Sequence, residues 1–489
     1  MRIPRRLALL AIGLPALLAT PVHASADPWP QYQGGAARTG LAPDGTPEPP
    51  YAVSWSAATG IGDPTQVLGT PSPIVAGEVA IVVGRESVDA VDVSSGSPAW
   101  SVPRALGPSS AAAVDGDTLV YAEGGGAGGA SSTPTTAAPS TTSATPSATA
   151  SPAASPDVST LVGVSLTSQK RLWSVPLTDV SHTGVVIANH EAFVGTDDGT
   201  VTAVDLDGTQ TWGQSVGDHV LAPIAATGDV VLAVARPEGQ GTAALVALRQ
   251  SDGSTSWRYE PSAPVQDLGG PSVGVGPSGK PAVYIVGSDA SVRGIDANEG
   301  TQLWAVALYS PTLGSPPAVG PAAVVVADET GTVYALDPAT GAERWRFATN
   351  ISAIGPPVLT PTSVIQPLSD GSVAAISLTS GHETWDGSTV DGAIFGLAAA
   401  PGLLVAAATG TSPGLVALAA DPAGATEDIV SPTTPNAARL ILGWVGAAIP
   451  LVVVSFLIGR SAFARLGPAR FEDTDGEEPV DPWEPDEDT

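Results

Sequence analysis

Two short stretches imitate known chemical motifs, and each lacks the residue on which the chemistry turns. Gly274-Val-Gly-Pro-Ser-Gly279-Lys280 follows a phosphate-loop spacing, but Pro281 stands where a Ser or Thr would hold magnesium. The following PAVYIVG reads as a strand, so no helix N-terminus is offered to a phosphate. Gly270-Pro-Ser272-Val-Gly274 has the G-x-S-x-G spacing, but Pro271 and the absence of a following helix deny it a nucleophile elbow. The chain has no Cys. That excludes thiolate nucleophiles, disulfides, zinc–thiolate and iron–sulfur sites, and a lipidated Cys anchor. His182, His190, His219 and His382 show no H-x-x-x-H or other compact ligand spacing. No catalytic residue and no metal ligand is assigned on these patterns.

Charge narrows the partners. The net charge of −29 opposes nucleic-acid binding through phosphate neutralisation. Ten of the acids lie in a terminal run from Glu472 to Asp488 that carries no base. Both ends read as topology signals. Arg2, Arg5 and Arg6, an apolar run and Ala24-Ser25-Ala26 predict a cleaved signal peptide over 1–26, exported by the Sec or the twin-arginine route. The uncharged 440–459 is long enough to span a bilayer. Arg460, Arg465 and Arg470 follow it, against Arg439 before it, which places the C-terminus in the cytoplasm and the bulk of the chain outside.

The residues that must be positioned sit on a repeat. A β-branched strand, a small turn and a Trp recur up to Trp100, Trp173, Trp212, Trp257, Trp304, Trp345 and Trp385. The turn residue four before the Trp is Gly96, Gly208, Gly253, Gly300, Gly341 or Gly381, with Gln169 in the remaining copy. Asp92, Ser165, Arg249, Asp296, Asp337 and Ser377 end the strand eight before it. Alternation, a residue with φ > 0 and a returning strand make a hairpin. A Trp at one fixed place per repeat is expected to dock on the next repeat. Two more strands precede each hairpin, so each period of roughly 40–47 residues holds the four strands of a propeller blade. After Trp385 three strands follow without a fourth, while YAVSWSA with Trp55 is a lone strand at the other end. Placing it in the empty slot gives an all-β, eight-bladed β-propeller whose N-terminal strand closes the last blade, plus one C-terminal transmembrane helix.

The segment Ala335-Leu-Asp337-Pro-Ala-Thr340-Gly341-Ala-Glu-Arg-Trp345 resembles the tryptophan-docking motif of the pyrroloquinoline-quinone (PQQ)-like propeller superfamily, and Ala90-Val-Asp92 to Trp100 repeats it. Trp29-Pro-Gln-Tyr-Gln and Arg38-Thr-Gly40 resemble the segment that opens many members. The resemblance covers about residues 29–424. It implies this fold and leaves function open among quinoprotein dehydrogenases, BamB-type assembly scaffolds and sensor domains. The quinoproteins hold PQQ with calcium, a catalytic Asp and, in many, a vicinal Cys pair. Here Cys is missing, and the calcium ligands and catalytic Asp find no matching positions.

Letting A to D denote the strands of a blade in chain order, B–C turns and D–A loops share one face, and A–B and C–D turns share the other. The tether to 440–459 leaves from the second face. The first carries Glu86, Asp197, Asp198, Asp289, Asp328, Glu329 and Asp370 on its B–C turns. A ring of carboxylates suits calcium or a basic partner, and Asp is equally favoured in tight turns for its local backbone bonds. His182 and His219 both follow a repeat Trp and are candidates to approach each other near the channel.

The expected organisation is a signal peptide (1–26), an N-terminal extension (27–49) and a propeller (50–424) with a low-complexity insert (124–157). A linker (425–439), the span (440–459) and an acidic cytoplasmic tail (460–489) follow. The expected role is a non-catalytic scaffold tethered to the cell membrane, with an envelope protein partner, no nucleic acid and no cofactor. The alternatives are a quinoprotein-like oxidoreductase using PQQ with calcium, and an envelope sensor signalling through its tail.

Overall fold

A computed structural model describes residues 28–61, 72–108, 110–125, 158–310, 315–390, 392–410 and 413–421. Eight four-stranded antiparallel sheets make up the ring. In blade 1 the strands are A (Ile74–Ala76), B (Val79–Val83), C (Ser87–Asp92) and D (Pro98–Pro103). Blades 2 to 7 repeat this meander over residues 113–176, 186–215, 225–259, 272–307, 318–348 and 358–388. Blade 8 is composite. Its strands Ile394–Ala400, Leu403–Ala408 and Gly414–Ala420 are completed by Tyr51–Ala58, which pairs antiparallel with Gly414–Ala420 from Tyr51↔Ala420 to Ala58↔Gly414. The ring therefore closes with the expected N-terminal strand.

The burial patterns explain the composition. B and C strands are apolar along nearly their whole length because neighbouring blades cover both faces: Val230–Ala235 is buried at every position. D strands alternate, as in Glu343–Ala348, where every second residue faces solvent. The core lies between blades. Ile74, Ile81, Val83 and Val88 of blade 1 pack with Leu119, Tyr121, Val162 and Val164 of blade 2.

The phosphate-loop look-alike is the A–B connection of blade 5, a 3-10 turn Pro277–Gly279 between strands Ser272–Val275 and Pro281–Val286. The insert 124–157 replaces the B–C turn of blade 2, and its residues 126–157 lie outside the described residues. So do 1–27 and 422–489, with the expected signal peptide, span and tail. Among the described residues no helix is long and apolar enough to cross a membrane.

The N-terminal extension, to which the repeat pattern gives no structural role, is part of the fold. The innermost strand of each blade has a free edge toward the axis, and unpaired backbone there must find partners. Residues 29–45 supply them while walking round the ring in blade order. Trp29 exchanges both backbone bonds with Val75 of blade 1, and Pro30 O accepts from Val114 N of blade 2. The Gln31 side chain brackets Ile187 of blade 3, donating to its O and accepting from its N, each at 2.8 Å. The carbonyls of Ala36, Ala37, Thr39 and Gly40 then accept from Ala226, Val273, Val319 and Leu359 of blades 4 to 7, and Gly45 O accepts from Gly402 N in the A–B turn of blade 8 rather than from its inner strand. The fit is tight at Gly40, where φ is +63° and a Cβ would lie 2.9 Å from Pro357 O and 3.0 Å from Ala318 Cβ.

Candidate functional site

The repeated Trp is placed by a local irregularity. In all eight blades the C–D pairing slips by one residue just before the Trp, for example between Ala335↔Trp345 and Leu336↔Glu343. This β-bulge re-aims the strand. It also explains the exposed Leu172 and Leu303, which are the bulged residues of blades 2 and 5. Opposite every Trp the C strand carries Ala or Gly: Ala90, Gly163, Ala203, Ala247, Gly294, Ala335, Ala375 and Ala417. The indole lies across that position, and a Cβ on Gly163 would come within 2.2 Å of the Trp173 ring.

Each indole then reaches the next blade. Nε1 of Trp55, Trp173, Trp212, Trp257, Trp304 and Trp345 donates to the carbonyl of Val93, Leu206, Gln250, Ala297, Pro338 and Leu378, at 2.7–3.0 Å. The ring rests on the turn Gly of that blade. Gly96, Gly208, Gly253, Gly300, Gly341 and Gly381 all have φ between +69° and +90°, and a Cβ on any of them would stand 2.5–2.7 Å from the indole. Trp100 and Leu166 both pack on the core shared by blades 1 and 2, where the turn residue is Gln169, with φ +53°. Trp385 meets Tyr51 edge-on, with ring centroids 5.2 Å apart.

The turns are locked by their carboxylates. Asp337 Oδ1 accepts from the N–H of Ala339 and Thr340, and Asp337 Oδ2 from Arg344 at 2.7 Å. These bonds, the Arg344 one first, hold the Asp337 carboxyl below its usual range. On the B–C face Asp198, Asp289, Asp328 and Asp370 accept from N–H groups two or four residues further on. Asp289 also pairs with Arg293 at 2.5 Å, and Asp328 is buried beneath the Tyr334 hydroxyl. Asp197 binds His219 Nδ1 at 2.9 Å. Glu86 and Glu329 point to solvent. Among the described residues no group of three His, Cys, Asp or Glu is close enough to hold a metal ion. His182 is exposed and makes no hydrogen bond to His219 among the described residues.

The polar groups that sequence reasoning missed lie on the axis. Backbone Ala36 meets blade 4 at Ala226, whereas Arg38 Nε donates to Ile224 O, two residues nearer the D–A face. Likewise Gln33 Nε2 donates to Pro316 O and Pro317 O at 3.4 and 3.2 Å, while Thr39 O meets the same blade at Val319. Both side chains thus rise about 7 Å up the axis from the coil that carries them. Arg38 is 1% exposed and its guanidinium stands 5.0 Å from the centre of the Tyr32 ring. A Trp, a Tyr and an Arg in a stretch with no strand pattern were the available signal.

A family profile described as Outer membrane protein assembly factor BamB matches residues 158–284 and 288–426, more than half of the chain. The chain belongs to this BamB-type, PQQ-like propeller family. Among solved structures, BamB from Moraxella catarrhalis superposes with a TM-score of 0.52 at 16% identity, over 76% of this chain and 99% of that one. A europium-containing methanol dehydrogenase gives 0.60 at 12% identity, over 80% and 91%. At such identities these likenesses show the fold alone. A serine/threonine-protein kinase, AfsK from Streptomyces griseus, is 36% identical over 166 residues, 31% of this chain and 20% of the kinase. The chain thus spans about a fifth of that relative's length.

Quinoprotein chemistry needs a place for a polyanionic quinone with its calcium ion. The axis of this BamB-type propeller offers one guanidinium and no cluster of metal-binding side chains among the described residues. No redox step is derived through that group.

Proposed function

We propose that this BamB-type propeller is a non-catalytic scaffold that binds protein partners in the cell envelope, tethered to the cell membrane through residues 440–459. The observation that carries the reading is the occupied axis. The innermost strands of blades 1 to 7 are hydrogen-bonded to residues 29–40 of the chain itself, and Gly45 bonds the A–B turn of blade 8 at Gly402, which leaves the outer faces for recognition. Their turns are rigid, because Asp and Gly at fixed places satisfy the local backbone. The tether leaves from the A–B and C–D face, where Asp421 N donates to Pro50 O beside Tyr51. The B–C and D–A face, with Glu86, Asp197, Asp198, Asp289, Asp328, Glu329 and Asp370, is then directed away from the bilayer, and the tail 460–489 is cytoplasmic. A partner with a basic surface suits that face.

The test is cross-linking of the full-length protein in its native membrane, followed by co-purification. Recurrent exported or membrane proteins that disappear when the B–C turns are altered support the scaffold. An empty co-purification overturns it and directs attention to a small ligand. The likeness to part of a kinase favours one second reading, an envelope sensor whose tail Phe471 to Thr489 recruits a cytoplasmic partner. Deleting 471–489 then abolishes a cytoplasmic interaction, and an unchanged set of partners rejects it.

A further inference from the structure

Arg38 is a full positive charge in the interior, with no carboxylate paired to it among the described residues. Its Nε is satisfied by Ile224 O, but Nη1 and Nη2 are buried and have no hydrogen-bond partner among the described residues. Among the described residues no salt bridge includes it, and the Tyr32 ring lies against it. Burial lowers its pKa from the usual arginine value to about 10, which leaves it charged at neutral pH. A buried charge without a counter-charge is unfavourable. Gln33, whose amide rises along the axis in the same direction, has its Oε1 buried and unpartnered too. Both residues are held in the left-handed region, Gln33 at φ +54° and Arg38 at φ +53°, a conformation that disfavours side chains. The coil accepts that strain at the two residues whose side chains it sends up the axis.

We propose that the Arg38 guanidinium holds a small oxyanion, a carboxylate or a phosphate, on the propeller axis. The planar fork of Nη1 and Nη2 matches two oxygens of such an anion, and Gln33 Oε1 accepts from a hydroxyl when the anion carries one. The site is distinct from the outer faces proposed for protein partners and does not depend on them.

The probes are phosphate and acetate, titrated into the full-length protein at constant ionic strength against chloride, with thermal unfolding as the readout. The wild-type Tm rises and saturates, by about 3 °C at a hundredfold excess over the half-saturating concentration. Arg38→Met loses this saturable response and, without added oxyanion, unfolds at or above the wild-type temperature. A wild-type Tm that does not respond saturably to either probe overturns the proposal. So does a response that survives in Arg38→Met, because the anion then binds elsewhere. Should Arg38→Met fail to fold, Arg38→Lys keeps the charge and loses the fork. Its half-saturating concentration is expected to rise about tenfold, and an unchanged value overturns the proposal.

Discussion

Gly341 and Gly228 have similar backbone strain and different surroundings, so a pair of Ala substitutions isolates the docking of a Trp. Both have φ > 0, +72° at Gly341 and +56° at Gly228. At Gly228 an added Cβ would meet nothing within 4 Å, so Gly228→Ala carries the left-handed penalty alone, about 1 kcal/mol, partly offset by a less flexible unfolded chain. At Gly341 the same Cβ would stand 2.5 Å from Cε3 of Trp304 and 2.8 Å from Val306 Cγ2. Trp304 is 8% exposed and has little room to yield, because its Nε1 is bonded to Pro338 O at 3.0 Å and its ring packs on Tyr284. Overpacking of this kind costs about 1–3 kcal/mol, and forcing the indole off its carbonyl about 1 more. Gly341→Ala is therefore expected to lose roughly 3–5 kcal/mol, against about 1 or less for Gly228→Ala. Urea unfolding of the two variants and the parent, compared at equal slope, reads the difference. Losses within about 0.5 kcal/mol of each other would refute the argument that the turn Gly exists to seat the neighbouring indole.

Three further outcomes follow from the same geometry. Gln169→Gly removes the side chain from the one turn of this type that strains a non-Gly residue, and should stabilise by roughly 0.5–1 kcal/mol in the same assay; a loss contradicts the reading of that turn. Gln31→Ala leaves the N–H and C=O of Ile187 buried without partners and should cost about 2–4 kcal/mol, whereas a loss under about 1 kcal/mol would mean that the axial coil is dispensable. Glu383 has its carboxyl raised to about 7, by burial first and by Asp386 second. A raised acid means that the folded state holds the proton more tightly, so its contribution is present below the ordinary pKa of 4.5 and fades as pH rises to about 7. Glu383→Gln should therefore match the parent at about pH 4 and exceed it by roughly 1–2 kcal/mol at about pH 8, less than the full shift implies because the group is partly solvated. Equal stability of the two at the higher pH would remove Glu383 from the account.

The ring was legible because its signals are local and repeated. Gly and Trp at a fixed separation encode the hairpin, and counting strands at both ends leaves one slot for Tyr51–Ala58. The bulge before each Trp is fixed by pairing across two strands, so a reading along one strand does not reveal it. Its trace is the Ala or Gly opposite the indole, which periodicity alone renders as ordinary strand residues. The B–C acids are a different case. Their residue type serves both a turn and a ligand, and the N–H groups that Asp289, Asp328 and Asp370 engage are visible only in three dimensions. The axial groups were the least legible. Residues 29–45 have no period of their own because each pairs with a different blade, so the role of Arg38 depends on strands far along the chain.

One physical demand links the two ends of that segment. D strands tolerate an open outer edge because they alternate and carry charges, as with Glu343, Arg344 and Arg346 in Glu343–Ala348. Gly414–Ala420 is a C strand, buried along its first five positions and without charge, and left uncovered it would be an apolar edge prone to pairing with another chain. The innermost strands pose the same problem at the axis. Residues 51–58 cover the first edge and residues 29–45 the second, so one N-terminal stretch satisfies both of the ring's exposed backbones. The order is forced, because the covering strand can pair only after Gly414–Ala420 exists at the far end of the chain. The axial coil can complete its walk only when the inner strands of blades 1 to 7 and the A–B turn of blade 8 are in place.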